Sequence, residues 1–401
     1  MKDQASLSPE PDLPRGAALP LSGLMVLDFS QFLAGPSATL RLADMGATVI
    51  KIERPVTGDS CRQLYISDLE IDGDSTLFHT INRNKRSFVA DLKTPGDLRA
   101  IRHLITKADV MVENFRPGVM RRIGLDYDVV RALNPRLIYG SVTGYGPEGP
   151  WVEFPGQDLL AQSLSGLVWL SGDRNQGPIP MGLAIADILT GAHLVQGLLA
   201  ALIQRGNTNK GALVEVSLLE SIVDFQFEVL TTYLNDGGRA PQRSSANNAH
   251  AYLGAPYGIY ATAGGHLALA MGSLTTLAQA LDCPALRGFD QAKNAFAQRD
   301  EIKAVLAAHL SLESTAHWLQ RLRAVDYWCA PVLHWHELLE HAAFRCLDML
   351  QTVRRDTGGG EIRTTRCPIR FDRVRPESPL AAPRIGEHND WVNRTFLQEL
   401  T

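Results

Sequence analysis

Apolar residues recur with two different periods along the first 150 residues of the chain. Short aliphatic runs such as GLMVLDFS (23–30) and ATVIKIE (47–53) are typical of buried strands. Between them, SATLRLADMG (37–46) repeats its apolar residues at helical spacing, and Gly46 is placed to end that helix. A strand, a helix and a strand in this order predict a right-handed parallel βαβ unit.

The same alternation continues to about residue 150. Helices are predicted near 96–107 and 126–133, and strands at 108–114 and 136–142. Strands that alternate with helices are typical of an α/β protein with a parallel sheet. We therefore predict that this part of the chain folds as a Rossmann-like open sheet.

The second half of the chain is more helical. A long helix is predicted from Asp187 or Ile188 to about Gln204, and after a strand an amphipathic helix near 218–235. The polar stretch 235–248 is rich in glycine and asparagine and is a candidate domain boundary.

A hairpin is predicted within 257–271, where two strands flank Ala-Gly-Gly, and a smaller domain begins near it. Helices dominate from 274 to 325. The C-terminal part is extended, rich in proline and ends in a short helix.

Composition limits the class of protein. Of 401 residues, 45% are hydrophobic and 20% charged, which is ordinary for a globular chain of two domains or one large α/β unit with an insertion. No uninterrupted run of about 18 apolar residues occurs, so no membrane-spanning helix is expected. Residues 1–20 are polar and proline-rich without the apolar core of a signal peptide, and we expect a disordered lead-in.

Charge is distributed unevenly. The net charge of −4 argues against a general nucleic-acid binder, yet the segment from Lys51 to Arg136 holds fifteen Lys and Arg and twelve Asp and Glu. An anionic partner is therefore expected to bind the first third of the chain. The five cysteines are scattered without a C-x-x-C pair, which favours reduced thiols in a cytoplasmic protein over a disulfide framework or a zinc site.

Three motifs have plainer alternatives. The stretch 144–149 reads G-x-G-x-x-G, but prolines follow it where a dinucleotide-binding motif needs a helix, so a loop is expected. The stretch 334–341 is one residue out of step with H-E-x-x-H, so we expect an amphipathic helix with a solvated His/Glu face and no metal site. The basic run 82–87 is open to two interpretations, a solvated face or an anion-binding surface.

Several separate stretches resemble, in order and spacing, the class III CoA-transferases. They are LSGLMVLDFSQFLAGP, GATVIKIERPVTGD, NRNKRSFVADLKTPGD, ADVMVENFRPGVMRRIGLDYD and LNPRLIYGSVTGYGPEGP. The resemblance continues through IADILTGAHLVQGLLAAL to the tail ending APRIGEH, nearly the whole chain from residue 21. This family includes the formyl-CoA, carnitine and succinyl-CoA:glutarate transferases and the related α-methylacyl-CoA racemases.

The resemblance implies a Rossmann-like large domain built from both termini, a smaller inserted α+β domain, and two chains interlocked as a homodimer. It places the large CoA-binding domain at 21–225, the linker and small domain at 226–325, and a return segment at 326–401. The implied partners are an acyl-CoA and a small carboxylic acid. Coenzyme A thioesters are then substrates and no cofactor is permanently bound; neither nucleic acid nor a membrane is an expected partner.

The resemblance also implies the site residues. The catalytic aspartate falls on Asp187, whose carboxylate attacks the donor thioester to give a mixed anhydride and then an aspartyl-CoA thioester. Gln31 and Asp158 stand where formyl-CoA transferases have a histidine and a glutamate, and both are candidate catalytic residues. The family's CoA contacts fall on Ala34, Arg54, Ala90, Lys93, Asn114, Phe115 and Arg122.

The residues alone leave the role of Asp187 open. It lies in an apolar run where a helix is predicted to begin, so it fits an N-cap as well as a nucleophile. The helix start favours the ionised carboxylate, whereas apolar neighbours raise its pKa. Asp158 is likewise either a helper beside Asp187 or a solvated loop acid.

Gln157 favours a transferase over a racemase. The racemases carry a second base, a histidine, at this position, and glutamine does not titrate. A non-enzymatic CoA-binding protein remains an alternative.

The substrate pair is less constrained. Gln31, Leu33 and the stretch 271–273 depart from the formyl-CoA transferases, so formyl-CoA with oxalate is not the expected pair. A dicarboxylic acceptor needs cations or hydroxyls for its distal carboxylate. The residues predicted to supply them are Arg243, His250, Tyr252 and Tyr257.

Overall fold

The structure, a computed structural model, divides into two compact units. It describes residues 19–64, 66, 68–289, 295–355, 360–376 and 380–400. The first unit is Met1–Glu153, Thr190–Ser217 and Met349–Thr401, and the second is Phe154–Leu189 and Leu218–Asp348. The predicted lead-in lies outside the described residues except for its last two positions. Because one chain is present, the interlocked dimer stays a prediction, as do the predicted domain bounds.

A six-stranded parallel sheet forms the centre of the first unit. The strands of this unit, with a short antiparallel pair after the second, are β1 (Met25–Asp28), β2 (Thr48–Glu53), β3 (Glu70–Ile71), β4 (Asp74–Ser75), β5 (Arg86–Val89), β6 (Val110–Glu113), β7 (Ile138–Thr143) and β8 (Leu213–Ser217). The order across the sheet is β5-β2-β1-β6-β7-β8. This is the order of doubly wound dinucleotide-binding folds, and it reverses direction between β1 and β6.

Helices connect these strands, and the first, third and fifth of them lie where the apolar pattern predicted helices. They are α1 (Ala34–Asp44), α2 (Thr76–Asn82), α3 (Pro95–Lys107), α4 (Val119–Ile123) and α5 (Tyr127–Leu133). The start of α3 shows why: Thr94 caps it by accepting the N–H of Asp97, and Pro95 occupies the first turn, where no N–H is needed. The predicted parallel βαβ unit is confirmed by the pairing of β1 with β2.

The second unit is mostly helical. In chain order the remaining elements up to residue 347 are α6 (Asp158–Leu164), α7 (Ile185–Thr208), α8 (Leu218–Asp224), α9 (Phe227–Asn235), β9 (Gly258–Thr262), β10 (Gly265–Leu269), α10 (Leu274–Leu281), α11 (Arg299–Leu310), α12 (Thr315–Arg323), β11 (Cys329–Pro331), α13 (Trp335–Glu340) and α14 (Ala342–Leu347). The predicted hairpin is confirmed, since β9 and β10 are antiparallel and Gly264 has a φ of +92° in the turn.

One helix prediction in the second unit was wrong. The helix predicted over 218–235 is two helices, because Gln226 turns its side-chain amide back to the carbonyls of Ile222 and Ser165. The helix predicted over 334–341 is confirmed as α13, and its His and Glu side chains are exposed; its apolar side chains are exposed as well.

α7 begins earlier than predicted, at Ile185 instead of Asp187 or Ile188. Within the first unit it packs closely, because a Cβ at Gly191 would lie 2.8 Å from the Ala34 carbonyl oxygen. Leu194 and Leu198 are fully buried. Among the described helices, α7 alone is long and apolar enough to cross a membrane, a criterion that core helices of soluble proteins also meet.

The C-terminal segment completes the first unit. Its elements are β12 (Leu350–Val353), β13 (Ile362–Thr365) and α15 (Asn389–Phe396). It runs along the outer edge of β5, where the His388 N–H donates to the Ser87 carbonyl at 3.1 Å. The Asn389 Oδ1 accepts the Val89 N–H at 2.9 Å, so polar groups of the edge strand are covered.

The basic run 82–87 is neither a solvated face nor an open anion-binding surface. Lys85 is fully buried and its Nζ lies 2.9 Å from Asp28 Oδ2, while the buried Arg83 forms an ion pair with Asp44. Both acids precede the run by about forty residues or more, so the sequence pattern around it does not show them. The positive charge predicted to bind an anion is here used inside the fold.

The same pattern extends around the sheet. Lys51 pairs with Asp59 at 2.8 Å, and Arg62 pairs with Glu53 at 2.7 Å. Arg62 also reaches Asp74, at 3.0 Å. These buried cations of the first unit are thus each matched with an acid, as burial of charge requires.

Candidate active site

The predicted CoA contacts of the first unit gather at one edge of the sheet. Gln31 and Ala34 follow β1, Arg54 follows β2, and Ala90 follows β5. Asn114 and Phe115 follow β6. Carboxyl ends of parallel strands share one edge, and ligands of open α/β sheets bind there near the reversal of strand order. Lys93 lies in the loop before α3 and Arg122 on α4, and both are exposed.

Asn114 joins the two loops at the point where the strand order reverses. Its Nδ2 donates to the Gln31 carbonyl at 2.7 Å, and its Oδ1 accepts the Gln31 N–H at 2.8 Å. The Gln31 side chain in turn accepts from Arg54 Nη2 at 3.3 Å. Gln31, a candidate catalytic residue, is therefore held by two predicted CoA contacts.

Sequence reasoning missed Glu113, the last residue of β6. Burial raises the pKa of this carboxyl to about 7. It accepts the Phe115 N–H at 2.9 Å and the Ser141 hydroxyl at 2.6 Å, so it fixes the backbone of a predicted CoA contact. The signal that could have marked it is an acid that closes an otherwise apolar strand.

Asp187 and Asp158 lie side by side in the second unit. Asp187 is the third residue of α7, and Asp158 is the first residue of α6. Asp158 Oδ1 accepts the N–H groups of Ala186 at 2.7 Å and Asp187 at 3.4 Å. Asp187 is therefore not an N-cap, because Asp158 caps α7 from another helix, and Asp158 is not a solvated loop acid.

This arrangement decides whether the helix start or burial has the larger effect on the pKa of Asp187. Burial, the larger cause, and the negative charge of Asp158 together raise the pKa of its carboxyl to about 7. The N–H groups expected to favour its ionised form are taken by Asp158. No cation in the described parts of the chain forms an ion pair with Asp187. The carboxylate is therefore weakly stabilised and suited to attack an electrophile.

The apolar neighbours of Asp187 do not shield it within a single chain. Leu183 is 69% exposed and Ile188 is 49% exposed, whereas Ala186 is fully buried. Asp187 itself is half-buried.

Arg243, a predicted substrate residue, is buried and turned toward the main chain. Its guanidinium donates to the carbonyls of Ser171 and Gln176 at 2.5 Å each. It lies at the wall of a largely apolar cavity of about 750 Å³ that is also lined by Trp169. These bonds hold the turn that precedes α7, and a role on a substrate carboxylate stays a prediction.

The other three predicted substrate residues do not converge on that cavity. His250 Nε2 lies 3.8 Å from Glu228 Oε1, and its Nδ1 accepts the Tyr252 N–H at 3.2 Å. The Tyr252 hydroxyl is buried and has no hydrogen-bond partner among the described residues, and burial raises its pKa. Tyr257 lines a different cavity, of about 400 Å³. The structure therefore does not gather the four around one point.

The family assignment agrees with this geometry. The sequence pattern of the family described as CoA-transferase family III matches residues 21–389, which is most of the chain. This chain belongs to CoA-transferase family III. The predicted resemblance is thereby confirmed.

Relatives of this family III transferase support the assignment. A succinate–glutarate CoA-transferase of Agrobacterium fabrum is 42% identical over 262 residues, which cover 63% of this chain and 64% of that relative. An acetyl-CoA:oxalate CoA-transferase of Acetobacter aceti is 34% identical over 398 residues, covering 96% and 97%. The crystal structure of a CaiB/BaiF family protein from Brucella suis is similar, with a TM-score of 0.81 at 28% identity, covering 95% and 100%. The mixed α/β fold with a parallel sheet is confirmed.

Proposed function

We propose that this family III transferase moves CoA from an acyl-CoA donor to a small dicarboxylic acid. The single observation that carries the proposal is Asp187, a half-buried carboxylate beside a second carboxylate, whose pKa burial raises to about 7. The relatives named for glutarate and oxalate support a dicarboxylic acid as acceptor.

In the proposed reaction, Asp187 is the nucleophile, and its carboxylate is acylated first by the donor and later by the acceptor. Its carboxylate oxygen attacks the thioester carbonyl carbon and the C–S bond breaks. CoA departs as the thiolate, and a mixed anhydride remains on Asp187. The thiolate attacks Cγ of Asp187, which releases the donor acid and forms an aspartyl-CoA thioester. The acceptor carboxylate then attacks the same Cγ and expels the thiolate, which finally attacks the acceptor carbonyl carbon. New acyl-CoA is released and the Asp187 carboxylate is restored without net proton transfer.

The first unit is proposed to bind CoA at the carboxyl edge of its sheet. Of the basic residues in this segment, Arg83 and Lys85 are buried in ion pairs. By contrast, Arg54, Lys93 and Arg122 are exposed, so their charged groups can face phosphate groups. Burial thus separates the structural cations from the proposed CoA contacts.

Trapping of the covalent intermediate tests the proposal. Incubation with succinyl-CoA and glutarate followed by hydroxylamine is expected to convert Asp187 to a hydroxamate, detected by peptide mass spectrometry. Asp187→Asn should give no adduct and lose at least about 10³-fold in turnover, because the nucleophile is gone. An unmodified Asp187 peptide in wild type under turnover conditions contradicts the proposal.

The two alternatives predict different results. A racemase needs a second base, and Gln157, at the N-terminus of α6, cannot carry a proton. Solvent deuterium in the α-carbon of a 2-methylacyl-CoA would favour the racemase. A non-enzymatic CoA-binding protein would show no turnover in wild type and normal acyl-CoA binding by Asp187→Asn.

A further inference from the structure

Gln162 is a buried amide next to the carboxylate pair, and no motif in the sequence singles it out. It lies on α6 four residues after Asp158 and is 1% exposed. Its Nε2 donates to Asp158 Oδ2 at 2.7 Å and to the Leu183 carbonyl at 3.2 Å. Its Oε1 accepts the Met181 N–H at 2.9 Å. One side chain therefore ties Asp158 to the chain that leads into α7.

Asp158 carries this connection to the nucleophile. Its Oδ1 is bonded to the N–H groups of Ala186 and Asp187, and its Oδ2 to Gln162. The two oxygens are thus held by groups on different elements. Rotation of the carboxylate would break bonds on both sides, so Gln162 restrains the position of the negative charge beside Asp187.

We propose that Gln162 is a positioning residue, whose amide locks the Asp158 carboxylate against the start of the helix that carries Asp187. Glutamine suits this role because its amide supplies two donors and an acceptor. Glutamate would place an oxygen opposite Asp158 where a donor is needed, and methionine would match the size without polar atoms. The catalytic meaning of this inference rests on the proposed function, but the contacts do not.

A purely structural role makes a different prediction. Loss of any buried amide leaves partners unsatisfied and lowers stability. A positioning role also moves the ionisation of Asp187, because the Asp158 charge contributes to its raised pKa. Gln162→Met frees Asp158 to turn away, so the pKa of Asp187 should fall. Gln162→Glu adds a third carboxyl group, so that pKa should rise.

The test is a titration of the Asp187 carboxyl by carbon-13 NMR in protein labelled at aspartate. The signal is assigned by its absence in Asp187→Asn. Relative to wild type, the midpoint is expected to shift down by about one pH unit in Gln162→Met and up by about one in Gln162→Glu, each a tenfold change in the ionised-to-protonated ratio.

Gln226→Met is the matched control. Gln226 is also a buried glutamine in the second unit, but within the part of the chain that the structure describes its amide bonds only the carbonyls of Ser165 and Ile222. It should lose stability and leave the Asp187 midpoint unchanged. If the midpoints of both Gln162 variants also equal that of wild type, Gln162 is structural and the proposal is wrong.

A background variant tests whether the effect of Gln162 on Asp187 acts through the charge of Asp158. Asp158→Asn keeps an acceptor oxygen for the helix start but removes the charge, so it should itself lower the midpoint. In that background Gln162→Met should cause no further shift, and an equal shift in both backgrounds overturns the proposal.

The same preparations separate this inference from the proposed function. If the midpoints of the Gln162 variants shift as expected but the wild type forms no adduct, the transferase mechanism is wrong and the positioning role stands. If the wild type forms the adduct but the midpoints do not shift, the positioning role is wrong and the transferase mechanism stands. With both correct, the pH midpoint of the acylation rate in Gln162→Met falls together with the titration midpoint, while KM for acyl-CoA stays within about twofold, since the proposed CoA contacts lie in the first unit.

Discussion

Both units bury charged side chains, but they arrange them in opposite ways. In the first unit, burial acts to raise the pKa of Asp28, yet the ammonium groups of Lys85 and Lys51 hold it well below its usual range. In the second unit, Asp187 has another acid beside it, and burial together with that charge raises its pKa to about 7. One carboxylate is fully compensated and the other is not.

The difference distinguishes a carboxylate that stabilises the fold, Asp28, from one that is suited to react, Asp187. A carboxylate bonded to Lys85, Ser30 and Thr39 has its lone pairs occupied and is a poor nucleophile. An uncompensated carboxylate is costly to the fold, and that cost is relieved when acylation removes the charge. The sign of the stability change on mutation should therefore differ between the two regions.

The largest effect is expected at Lys85. Lys85→Met leaves Asp28 buried without its cation and should lower the free energy of unfolding by about 3–5 kcal/mol. Urea denaturation at pH 7 measures this change. Arg41→Met is the control, because Arg41 pairs with Asp44 at 37% side-chain exposure and should cost less than about 1 kcal/mol. Equal losses in the two variants would remove the distinction between buried and surface pairs.

The next effect concerns the pH dependence of acylation. Only the ionised form of Asp187 attacks, so with a pKa of about 7 the rate should rise with pH and level off above about 8. At pH 5 the ionised fraction, and hence the single-turnover rate with acyl-CoA, should be about 100-fold below its plateau. Circular dichroism at each pH checks that the fold persists. A flat profile between pH 5 and 8 would show that Asp187 titrates like an ordinary carboxyl.

The smallest effect has the opposite sign to that at Lys85. Because the folded pKa of Asp187 exceeds its ordinary value, ionisation opposes folding, and this cost grows from about pH 4 and is complete above pH 7. Asp187→Asn should therefore stabilise the protein at pH 8 by about 1–3 kcal/mol, allowing for partial solvent exposure, and by little near pH 4. Urea denaturation at both pH values measures it. A loss of stability at pH 8 would contradict the comparison.

Local patterns in the sequence predicted most of the sheet and its helices. Apolar runs located β1, β2, β6 and β7 within a few residues, and the Ala-Gly-Gly signal located the hairpin of β9 and β10. The nucleophile candidate Asp187 was ambiguous from its own neighbours, and the resemblance of the whole chain singled it out.

Long-range pairing was not predictable in the same way. The acids that neutralise Arg83 and Lys85 lie in α1 and β1, so a window around the basic run reports only its positive charge. Gln162 carries no charge, and the chain it holds begins nineteen residues later at Met181. Such contacts depend on where the fold brings distant segments, which periodicity does not encode.

The C-terminal segment that covers β5 also has a consequence for synthesis on the ribosome. All six strands of the sheet are made by Ser217, but the groups that cap the edge of β5 come from His388 and Asn389. Until these residues have been synthesised, the nascent chain presents an open strand edge to other nascent chains. The edge of the sheet is thus protected from intermolecular pairing only after a stretch made more than 150 residues later than Ser217 has been synthesised.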